Sequence, residues 1–417
     1  MATVEEGDAF AQGGIAAQST ADAVARRSYG KLIAFLAART HDVAAAEDAL
    51  SEAFAAALED WPKSGCPANP EAWLLTVARR KSIDRLRRDA RIDGDVDPAG
   101  LCADWESEEE IPDRRLALLF ACAHPALEAA MHAPLMLQVI LGLDAQAIAS
   151  AFLVSPAAMG KRLVRAKEKI RHAGIPFRVP ERAELPERLN AALEAIYAAF
   201  AEGWSDPAGT DAARRELTGE ALFLAALVVE LLPEEPEALG LAALMLHLQA
   251  RRRARRSETG EYVPLAQQDC TLWDAGMVER AEDLLRQASA IGRLGRFQLE
   301  AAIQSAHVER CRSGRANWEA VLRLYEALYA LTGSPVVAVN RALAVAEIEG
   351  AEAALLAMPR VEDDARLAGY QPYWAARAEL LARAGAKDEA RQALEIAIGQ
   401  ASDPAVRRFL EGRRAGI

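Results

Sequence analysis

Cysteine is scarce and widely scattered in this chain of 417 residues. No two cysteines form a CxxC pair, so the spacing does not match a zinc ribbon. The pattern therefore predicts neither a disulfide framework nor a structural zinc site, and it fits a reducing compartment. The five cysteines are Cys66, Cys102, Cys122, Cys270 and Cys311.

Long hydrophobic runs are also lacking. The most apolar stretch, residues 221–232, contains Glu230 and is much shorter than the ~20 residues that a membrane-spanning helix needs. The N-terminus, MATVEEGDAF, lacks the basic start and apolar core of a signal peptide. We therefore expect no membrane segment and a cytoplasmic protein.

Motifs of common enzymes are missing as well. The sequence has no GxxxxGKS/T phosphate loop, no GxSxG elbow and no HExxH zinc motif. Cys122, His124 and His132 lie near one another in the chain, but a metal site would need a fourth ligand. Their helical pattern fits core or surface positions better. We expect no catalytic residue, no metal site and no cofactor.

Aromatic residues make up only 6% of the chain, and no segment shows the two-residue alternation of a β-strand. Alanine and leucine are abundant, which favours helix. The predicted fold class is therefore all-α, with early helices at 22–40, 43–60, 70–91 and 113–173. A loop is expected at 61–70, where three prolines and a glycine occur.

The net charge of −12 is very unevenly distributed. Residues 79–91 and 161–172 each carry a net charge of +5, whereas residues 92–112 carry −8. Basic helices suit contact with nucleic-acid phosphates, although solvated charged faces have the same composition. The distribution indicates two basic helical modules joined by an acidic linker and followed by an acidic C-terminal half.

The second basic segment predicts a helix-turn-helix. A short helix at 144–152 is followed by a turn at 153–154, and Ser155 with Pro156 begins a second helix. The second helix of this motif enters the DNA major groove, although a basic helix in an ordinary bundle shows the same pattern. The stripe expected to be buried is Met159, Leu163, Ala166 and Ile170, and the basic residues outside it are Lys161, Arg162, Arg165 and Lys169.

An acidic row precedes the first basic segment. In helix 43–60, Leu50, Phe54 and Leu58 form the apolar row, and a polar row lies beside it. An acidic patch next to a basic helix suggests a partner protein that presents basic residues. The polar row consists of Glu47, Asp48, Ser51 and Glu52.

These segments carry a family resemblance. AEDALSEAF (46–54), followed by NPEAWLLTVARRKSIDRLRR (69–88), resembles region two of extracytoplasmic-function sigma factors, and GLDAQAIASAFLVSPAAMGKRLVRAKEKIR within 135–171 resembles their region four. The order of the two blocks also matches. Segments such as 318–347 resemble a subgroup with a long tetratricopeptide-like extension. The resemblance implies region two at 1–91, the acidic linker at 92–112, region four at 113–174, a proline-rich linker at 175–186 and helical repeats at 187–417.

The resemblance implies a non-enzymatic protein that binds core RNA polymerase and directs initiation at promoter DNA. Glu47, Asp48, Ser51 and Glu52 would dock on the polymerase clamp helices. The melted −10 strand would be held through base capture, stacking and phosphate contacts. Its contacts would be Trp61, Lys63, Asn69, Trp73, Arg79, Arg80, Lys81, Arg85, Arg87 and Arg88, and those of the −35 duplex would be Ser155, Ala157, Ala158, Lys161, Arg162, Arg165 and Lys169.

The chain departs from the family pattern in places. Many members have Asn where Arg80 stands, and Thr and Lys where Ala158 and Gly160 stand. The start of the recognition helix therefore offers few hydrogen bonds to base edges, and the promoter sequence does not follow from the resemblance. The acidic linker would run through the polymerase cleft on surfaces built for nucleic acid, and it is equally compatible with a solvated spacer.

The C-terminal half predicts helical pairs near a 34-residue period, with the best example at 373–398. Such repeats stack into a curved surface that takes a protein or peptide partner, and the subgroup implies a regulatory role. The basic run RRRARR (251–256) is interpreted as a solvated helix end, with a further nucleic-acid site as the alternative, and residues 262–274 as a packed ordered loop.

Two other functions fit parts of the sequence. A conventional helix-turn-helix regulator with a repeat-based sensor would use 135–171 but would not need the block at 46–88. A repeat scaffold with a vestigial module would direct no transcription and bind no promoter. Initiation that depends on core RNA polymerase separates these possibilities from a sigma factor.

Overall fold

The computed structural model describes residues 2–93, 113–152, 154–181, 183–204, 212–361 and 364–417. Within these ranges the chain forms α-helices and short 3-10 turns, with no β-strand and one isolated bridge between Arg256 and Tyr262. The predicted all-α class is therefore confirmed. None of the described helices is long and apolar enough to span a membrane.

The chain forms two compact units. The first comprises Met1–Ser205 with Asp211–Ala221, and the second comprises Asp206–Thr210 with Leu222–Ile417. The helices of the N-terminal unit are α1 (Ala2–Thr40), α2 (Val43–Ser64), α3 (Pro70–Asp93), α4 (Arg115–Cys122), α5 (Ala129–Val139), α6 (Ala145–Ala151), α7 (Pro156–His172) and α8 (Leu185–Trp204). The acidic linker predicted at 92–112 lies, from residue 94 onward, outside the described residues.

Helices α1, α2 and α3 pack around a shared apolar core. Residues 32–37 of α1 are all buried, so this stretch of α1 is surrounded on every side. Leu50 of α2 and Leu74 of α3 are also fully buried. Each such side chain contributes about 1.5–3 kcal/mol through the hydrophobic effect, which holds the faces of α2 and α3 in fixed positions.

Helix α2 extends further than predicted. It was expected to end before Pro62, but it continues to Ser64 with Pro62 in its last turn. A proline near a helix end removes only one intrahelical hydrogen bond, and the burial of Trp61 anchors the turn. Gly65 then ends the helix, with a φ of 84° and its N–H donating to the carbonyl of Trp61 at 3.0 Å.

The prediction for α6 and α7 is confirmed at the level of local structure. Ser155 caps α7 by accepting a hydrogen bond from the Ala158 N–H at 3.3 Å, and Pro156 takes the first helical position. The predicted apolar stripe is buried throughout, at Met159, Leu163, Ala166 and Ile170. The opposite face of α7 is therefore left for charged residues.

The boundary between the units lies later in the chain than the proline-rich segment at 175–186. Helix α8 belongs to the N-terminal unit, where Leu189, Leu193 and Ile196 are buried. The guanidinium of Arg188 donates to the carbonyl of Phe120 at 2.5 Å. Tertiary packing of an amphipathic helix thus outweighs the prolines that suggested a domain boundary there.

The C-terminal unit continues as a series of helices. The pair predicted at 373–398 is present as two helices, and Ala390, Ala393 and Ala397 are buried between them and their neighbours. The helices are α9 (Ala212–Leu231, which spans the division between units), α10 (Pro236–Ala250), α11 (Ala275–Ile291), α12 (Arg296–Ser313), α13 (Trp318–Thr332), α14 (Pro335–Glu349), α15 (Ala351–Ala357), α16 (Gln371–Arg383), α17 (Lys387–Gln400) and α18 (Pro404–Ala415).

Two sequence interpretations of this unit need correction. RRRARR is not a solvated helix end, because Arg251, Arg252, Arg255 and Arg256 are half-buried and Arg256 pairs with Asp403. Cys270 and Cys311 form a disulfide, with their Cα atoms 5.8 Å apart, although their spacing predicted no such framework. Residues 262–274 do form an ordered loop, with 3-10 turns at Leu265–Gln267 and Cys270–Leu272.

Candidate functional site

The acidic row of α2 divides into exposed and enclosed members. Asp48, Ser51 and Glu52 are exposed, whereas the Glu47 side chain keeps only 15% of its accessible surface. The cap of the helix adds a further acid, because Asp42 Oδ1 accepts the Ala45 N–H at 3.1 Å. The three exposed residues lie within about one helical turn of one another, so together they form a polar docking surface.

Glu47 forms an ion pair with the helix that was predicted to read DNA. Its carboxylate accepts a hydrogen bond from Lys167 Nζ of α7 at 2.6 Å, and the Lys167 side chain is only 11% exposed. Burial raises the pKa of Glu47, and the attraction of Lys167 offsets this rise only in part. One turn further along α7, Arg171 donates to Asp42 at 3.3 Å. Helices α2 and α7 are thus joined by two ion pairs.

Close backbone contact between α1 and the end of α5 supports the same arrangement. A Cβ atom on Gly30 of α1 would lie 2.2 Å from the carbonyl oxygen of Ile140. The two segments can approach this closely only because residue 30 has no side chain. The N-terminal helical module and the module that contains α7 are therefore packed against each other in this structure.

Four of the predicted −10 contacts lie at the α2–α3 junction. Asn69 caps α3, since its Oδ1 accepts the Ala72 N–H at 3.1 Å. Trp61 is only 2% exposed and packs edge-on against Trp73, with ring centroids 5.5 Å apart. The Trp61 indole therefore has a packing role here, whereas Trp73 is half-buried and Lys63 is exposed.

The basic residues at the start of the first basic segment have different surroundings. The Arg79 guanidinium lies over the buried Phe35 ring, 5.2 Å from its centroid. Arg80 is exposed, and the exposed Lys81 forms an ion pair with Glu52 at 3.1 Å. The side chains of the predicted contacts Arg85, Arg87 and Arg88 lie outside the described residues.

Helix α7 presents a continuous basic face. Its four predicted basic contacts are exposed, and a Cβ on Gly160 would meet no atom within 4 Å. Ser155 and Ala157 are exposed at its start, and Ala158 is half-buried. The exposed basic residues are Lys161, Arg162, Arg165 and Lys169.

Comparison with known proteins connects this geometry to a family. Residues 24–92, which contain α2, part of α1 and all but the last residue of α3, match the family model described as Sigma-70 region 2. An uncharacterised protein of Rhizobium meliloti (strain 1021) is 40% identical over 368 residues, covering 86% of each chain. The chain belongs to the same family as this protein and contains a Sigma-70 region 2 domain. That domain supports a sigma-factor role in promoter recognition and transcription initiation.

A second family model matches beyond the Sigma-70 region 2 domain. Residues 188–289 match the model described as Family of unknown function (DUF6596). No solved structure matches the chain significantly. The domain match assigns α2 and α3 to a Sigma-70 region 2 domain, and the assignments of individual residues to polymerase and DNA remain predictions.

Sequence reasoning missed Lys167 and Arg171 as residues that join the sigma region 2 domain to α7. Both were counted with the DNA-facing charge of 161–172. One local signal was present, because Lys167 lies four residues after the buried Leu163 and three before the buried Ile170. Its partner lies 120 residues away in the chain, and only packing of the two helices identifies that partner.

Replacing Lys167 by alanine is expected to lower the free energy of unfolding by about 3 kcal/mol at neutral pH, because the Glu47 charge then stays buried without its partner. The folded-state pKa of Glu47 is already raised, so its carboxylate takes up a proton as the pH falls. The loss of unfolding free energy then shrinks, because the unpaired charge is no longer buried. Chemical denaturation at pH 7 and pH 5 measures both effects.

Lys169→Ala provides the matched control, because Lys169 is exposed on the same helix. We expect it to change stability by no more than about 0.5 kcal/mol. Equal losses of unfolding free energy for the two variants would contradict a buried ion pair between Glu47 and Lys167. A Lys167→Ala loss that is the same at both pH values would also contradict it.

The C-terminal unit contains a cavity of about 440 Å³. Ion pairs lie along it, with Arg383 bound to Glu347 at 2.6 Å and to Glu379 at 2.9 Å, and Arg413 bound to Glu379. Among the described residues, no group of three or more His, Cys, Asp or Glu side chains is placed to hold a metal ion. The lining is otherwise largely apolar, with Pro264, Ala266, Trp318, Leu343, Ala375, Ala378, Ala382, Leu394, Phe409, Leu410 and Ile417.

Proposed function

We propose that this protein is an extracytoplasmic-function type sigma factor that binds core RNA polymerase and directs initiation at specific promoters. The observation that carries the proposal is the Sigma-70 region 2 match at residues 24–92. The exposed acids of α2 support it, because they form a surface complementary to basic residues on a partner protein. Promoter DNA and core polymerase are the two partners of this function.

The −10 strand is proposed to bind at the α2–α3 junction and along α3. Exposed Lys63, Arg80 and Lys81 supply positive charge, and Trp73 offers a half-buried aromatic ring in the first turn of α3. Single-stranded nucleic acid is held by such a combination of phosphate contacts and base stacking. The acidic linker is proposed to follow the path that nucleic acid takes in the polymerase cleft.

The −35 duplex is proposed to bind α7 through its exposed basic face. A recognition helix contacts base edges with its first turn and phosphates with its flanks. Here the first turn has Ala157 and Ala158, so phosphate contacts from Arg165 and Lys169 supply most of the affinity. Sequence discrimination at this element is therefore weak.

The contact between α2 and α7 gives the two modules a closed form. Glu47 cannot present its carboxylate to polymerase while it holds Lys167 at 2.6 Å. Opening this pair would release a docking acid on α2 and free α7 to bind the −35 element. The C-terminal unit, with its series of helices and its apolar cavity, is proposed to contain tetratricopeptide-like repeats and to regulate this step through a protein or peptide partner.

In vitro transcription with the full chain and purified core RNA polymerase tests the proposal. On a genomic DNA library, mapping of transcript 5′ ends should reveal a defined set of start sites that appears only when both proteins are present. Tight duplex binding with no start sites would indicate a conventional regulator. Neither binding nor initiation would indicate a scaffold, and each of these results would reject the sigma function.

Replacing Arg165 by alanine is expected to weaken holoenzyme binding to promoter duplex about tenfold and to lower the salt-dependence slope by about 1, because one phosphate contact is lost. Fluorescence anisotropy over a range of salt concentrations measures both quantities. Arg178→Ala, an exposed arginine just beyond α7, should leave the slope unchanged. Equal effects of the two substitutions would remove α7 from the DNA interface.

A further inference from the structure

The disulfide of the C-terminal unit joins a long loop to a helix. Cys270 lies in the loop between α10 and α11 (residues 251–274, the α10–α11 loop), and Cys311 lies near the end of α12. Both cysteines are half-buried. The bond spans 41 residues of sequence, so it fixes a tertiary contact that local structure does not provide.

Noncovalent contacts hold the same loop on its other side. Arg256 pairs with Asp403, and Glu261 pairs with Arg408 of α18 at 3.1 Å. The Tyr262 ring packs edge-on against Phe409, with centroids 5.4 Å apart. The first half of the loop is thus attached to α18, and its second half is attached to α12 through the disulfide.

The segment between these two attachments forms a wall of the cavity. Pro264, Ala266 and Gln267 line the cavity from the loop, facing residues of α16 and α18. Near this wall, Arg310 of α12 donates a hydrogen bond to the Leu265 carbonyl at 2.9 Å. The covalent bond and this hydrogen bond therefore keep the wall in place from the α12 side.

The surroundings of Cys311 favour thiol chemistry. Arg310 and Arg312 are its neighbours in sequence, and Arg310 and Arg251 lie close to His307, which precedes Cys311 by four residues on α12. Burial is the main reason that the pKa of His307 falls to about 4, and the charges of Arg310 and Arg251 lower it further. Positive charge from these two arginines therefore reaches this end of α12. Nearby guanidinium groups stabilise a thiolate and make the sulfur a better leaving group. Asp269 precedes Cys270 in the sequence, but its carboxylate already accepts two hydrogen bonds from Thr271. The Thr271 N–H donates at 2.9 Å and the Thr271 hydroxyl at 2.8 Å.

We infer that Cys270 and Cys311 form a redox modification site, which a protein dithiol opens and a hydroperoxide closes, and that its state determines whether the cavity wall is held. On reduction, a thiolate of the dithiol attacks the Cys270 sulfur and Cys311 leaves as a thiolate, which takes a proton from solvent. The second thiol of the dithiol then attacks the mixed disulfide. Two cysteine thiols and an oxidised dithiol result.

Closure reverses this electron flow. The Cys311 thiolate attacks the peroxide O–O bond, which gives a sulfenic acid and, after protonation, one molecule of water or alcohol. The Cys270 thiolate displaces the sulfenic oxygen, which leaves as water, and the disulfide forms. One hydroperoxide is thereby reduced by two electrons. The site would couple an oxidant signal to the binding cavity of the C-terminal unit, a property beyond the proposed sigma function.

The test uses the full chain and measures thiols and backbone exchange, so it does not depend on transcription. A Cys66→Ser, Cys102→Ser background removes two other thiols. Cys122 is fully buried, and burial raises its thiol pKa, so it should stay unreactive in the native protein. In this background we expect no alkylation before reduction and two alkylated cysteines after treatment with dithiothreitol or reduced thioredoxin. Hydrogen peroxide should restore the unreactive state.

Hydrogen–deuterium exchange in the same samples reports on the cavity wall. Reduction should increase exchange in residues 263–272 about tenfold, while α11 and α16 remain protected and the circular dichroism of the helices is unchanged. The Cys270→Ser, Cys311→Ser double variant should match the reduced protein under all conditions. This variant separates loss of the bond from any other action of the reductant.

Three results would overturn the inference. Full alkylation of Cys270 and Cys311 before reduction, with both thiols still reactive after peroxide, would show that no bond forms. The bond could open only in denaturant, which would make it purely structural. Exchange in residues 263–272 could be the same in both redox states, which would separate the bond from the cavity wall.

Discussion

Replacing Gly30 by alanine should lower the free energy of unfolding of the N-terminal unit by about 3 kcal/mol. The added Cβ would lie 2.2 Å from the Ile140 carbonyl oxygen and 3.1 Å from its carbon. Both atoms belong to the backbone at the end of α5, so neither can rotate away as a flexible side chain would. Overpacking of this kind forces the backbone to move and typically costs 1–3 kcal/mol, occasionally more.

Gly160→Ala is the matched control for this substitution. Gly160 lies inside α7 of the same unit, and a Cβ there would meet no atom within 4 Å. Alanine has a higher helix propensity than glycine, so this variant should gain about 0.5–1 kcal/mol. Chemical denaturation followed by circular dichroism measures both variants. Equal and small effects would show that α1 and α5 do not approach as closely as the structure indicates.

Replacing Asp48 by arginine should weaken binding to core RNA polymerase by about 100-fold. Asp48 is exposed on α2 between the enclosed Glu47 and the exposed Ser51 and Glu52. Charge reversal at a complementary interface both removes an attraction and adds a repulsion, which together cost several kcal/mol. Binding of labelled full-length protein to purified core enzyme, measured by anisotropy, gives the ratio directly.

Asp60→Arg is the control for this reversal. It makes the same change of charge on an exposed residue of the same helix, but at a position about 120° around the helix from Asp48. We expect it to change polymerase affinity less than about threefold. If Asp60→Arg weakens binding as much as Asp48→Arg, the effect is one of net charge and the docking surface lies elsewhere.

Local features of the fold were largely predictable from the sequence. The start of α7 followed from Ser155 and Pro156, and its buried stripe followed from apolar residues at spacings of three and four. The cap of α3 is local in the same way, because Asn69 accepts a hydrogen bond from an N–H only three residues later. These features depend on residues within a few positions of one another, so they can be predicted from the sequence alone. The prediction that α2 ends before Pro62 was wrong, because tertiary contacts bury the neighbouring Trp61 and keep the last turn of α2 helical.

Pairings between distant residues were not predictable. The spacing of Cys270 and Cys311 in the sequence predicted no pairing, yet the fold brings them together in a disulfide. The run RRRARR had the composition of a solvated surface, yet Arg256 reaches Asp403 across 147 residues. Composition records which residues are charged or reactive, and it carries no information about which helices become neighbours.

The sequence by itself determined that the chain is helical, that α2 has an acidic face and α7 a basic one, and that a Sigma-70 region 2 domain was to be expected. Helical periodicity and capping are local, and they place a residue on a face without reference to the rest of the chain. Only the tertiary structure decided what those faces meet. Packing of α1 against the end of α5 brings α7 beside α2, and that placement makes Lys167 a partner of Glu47 rather than another DNA contact.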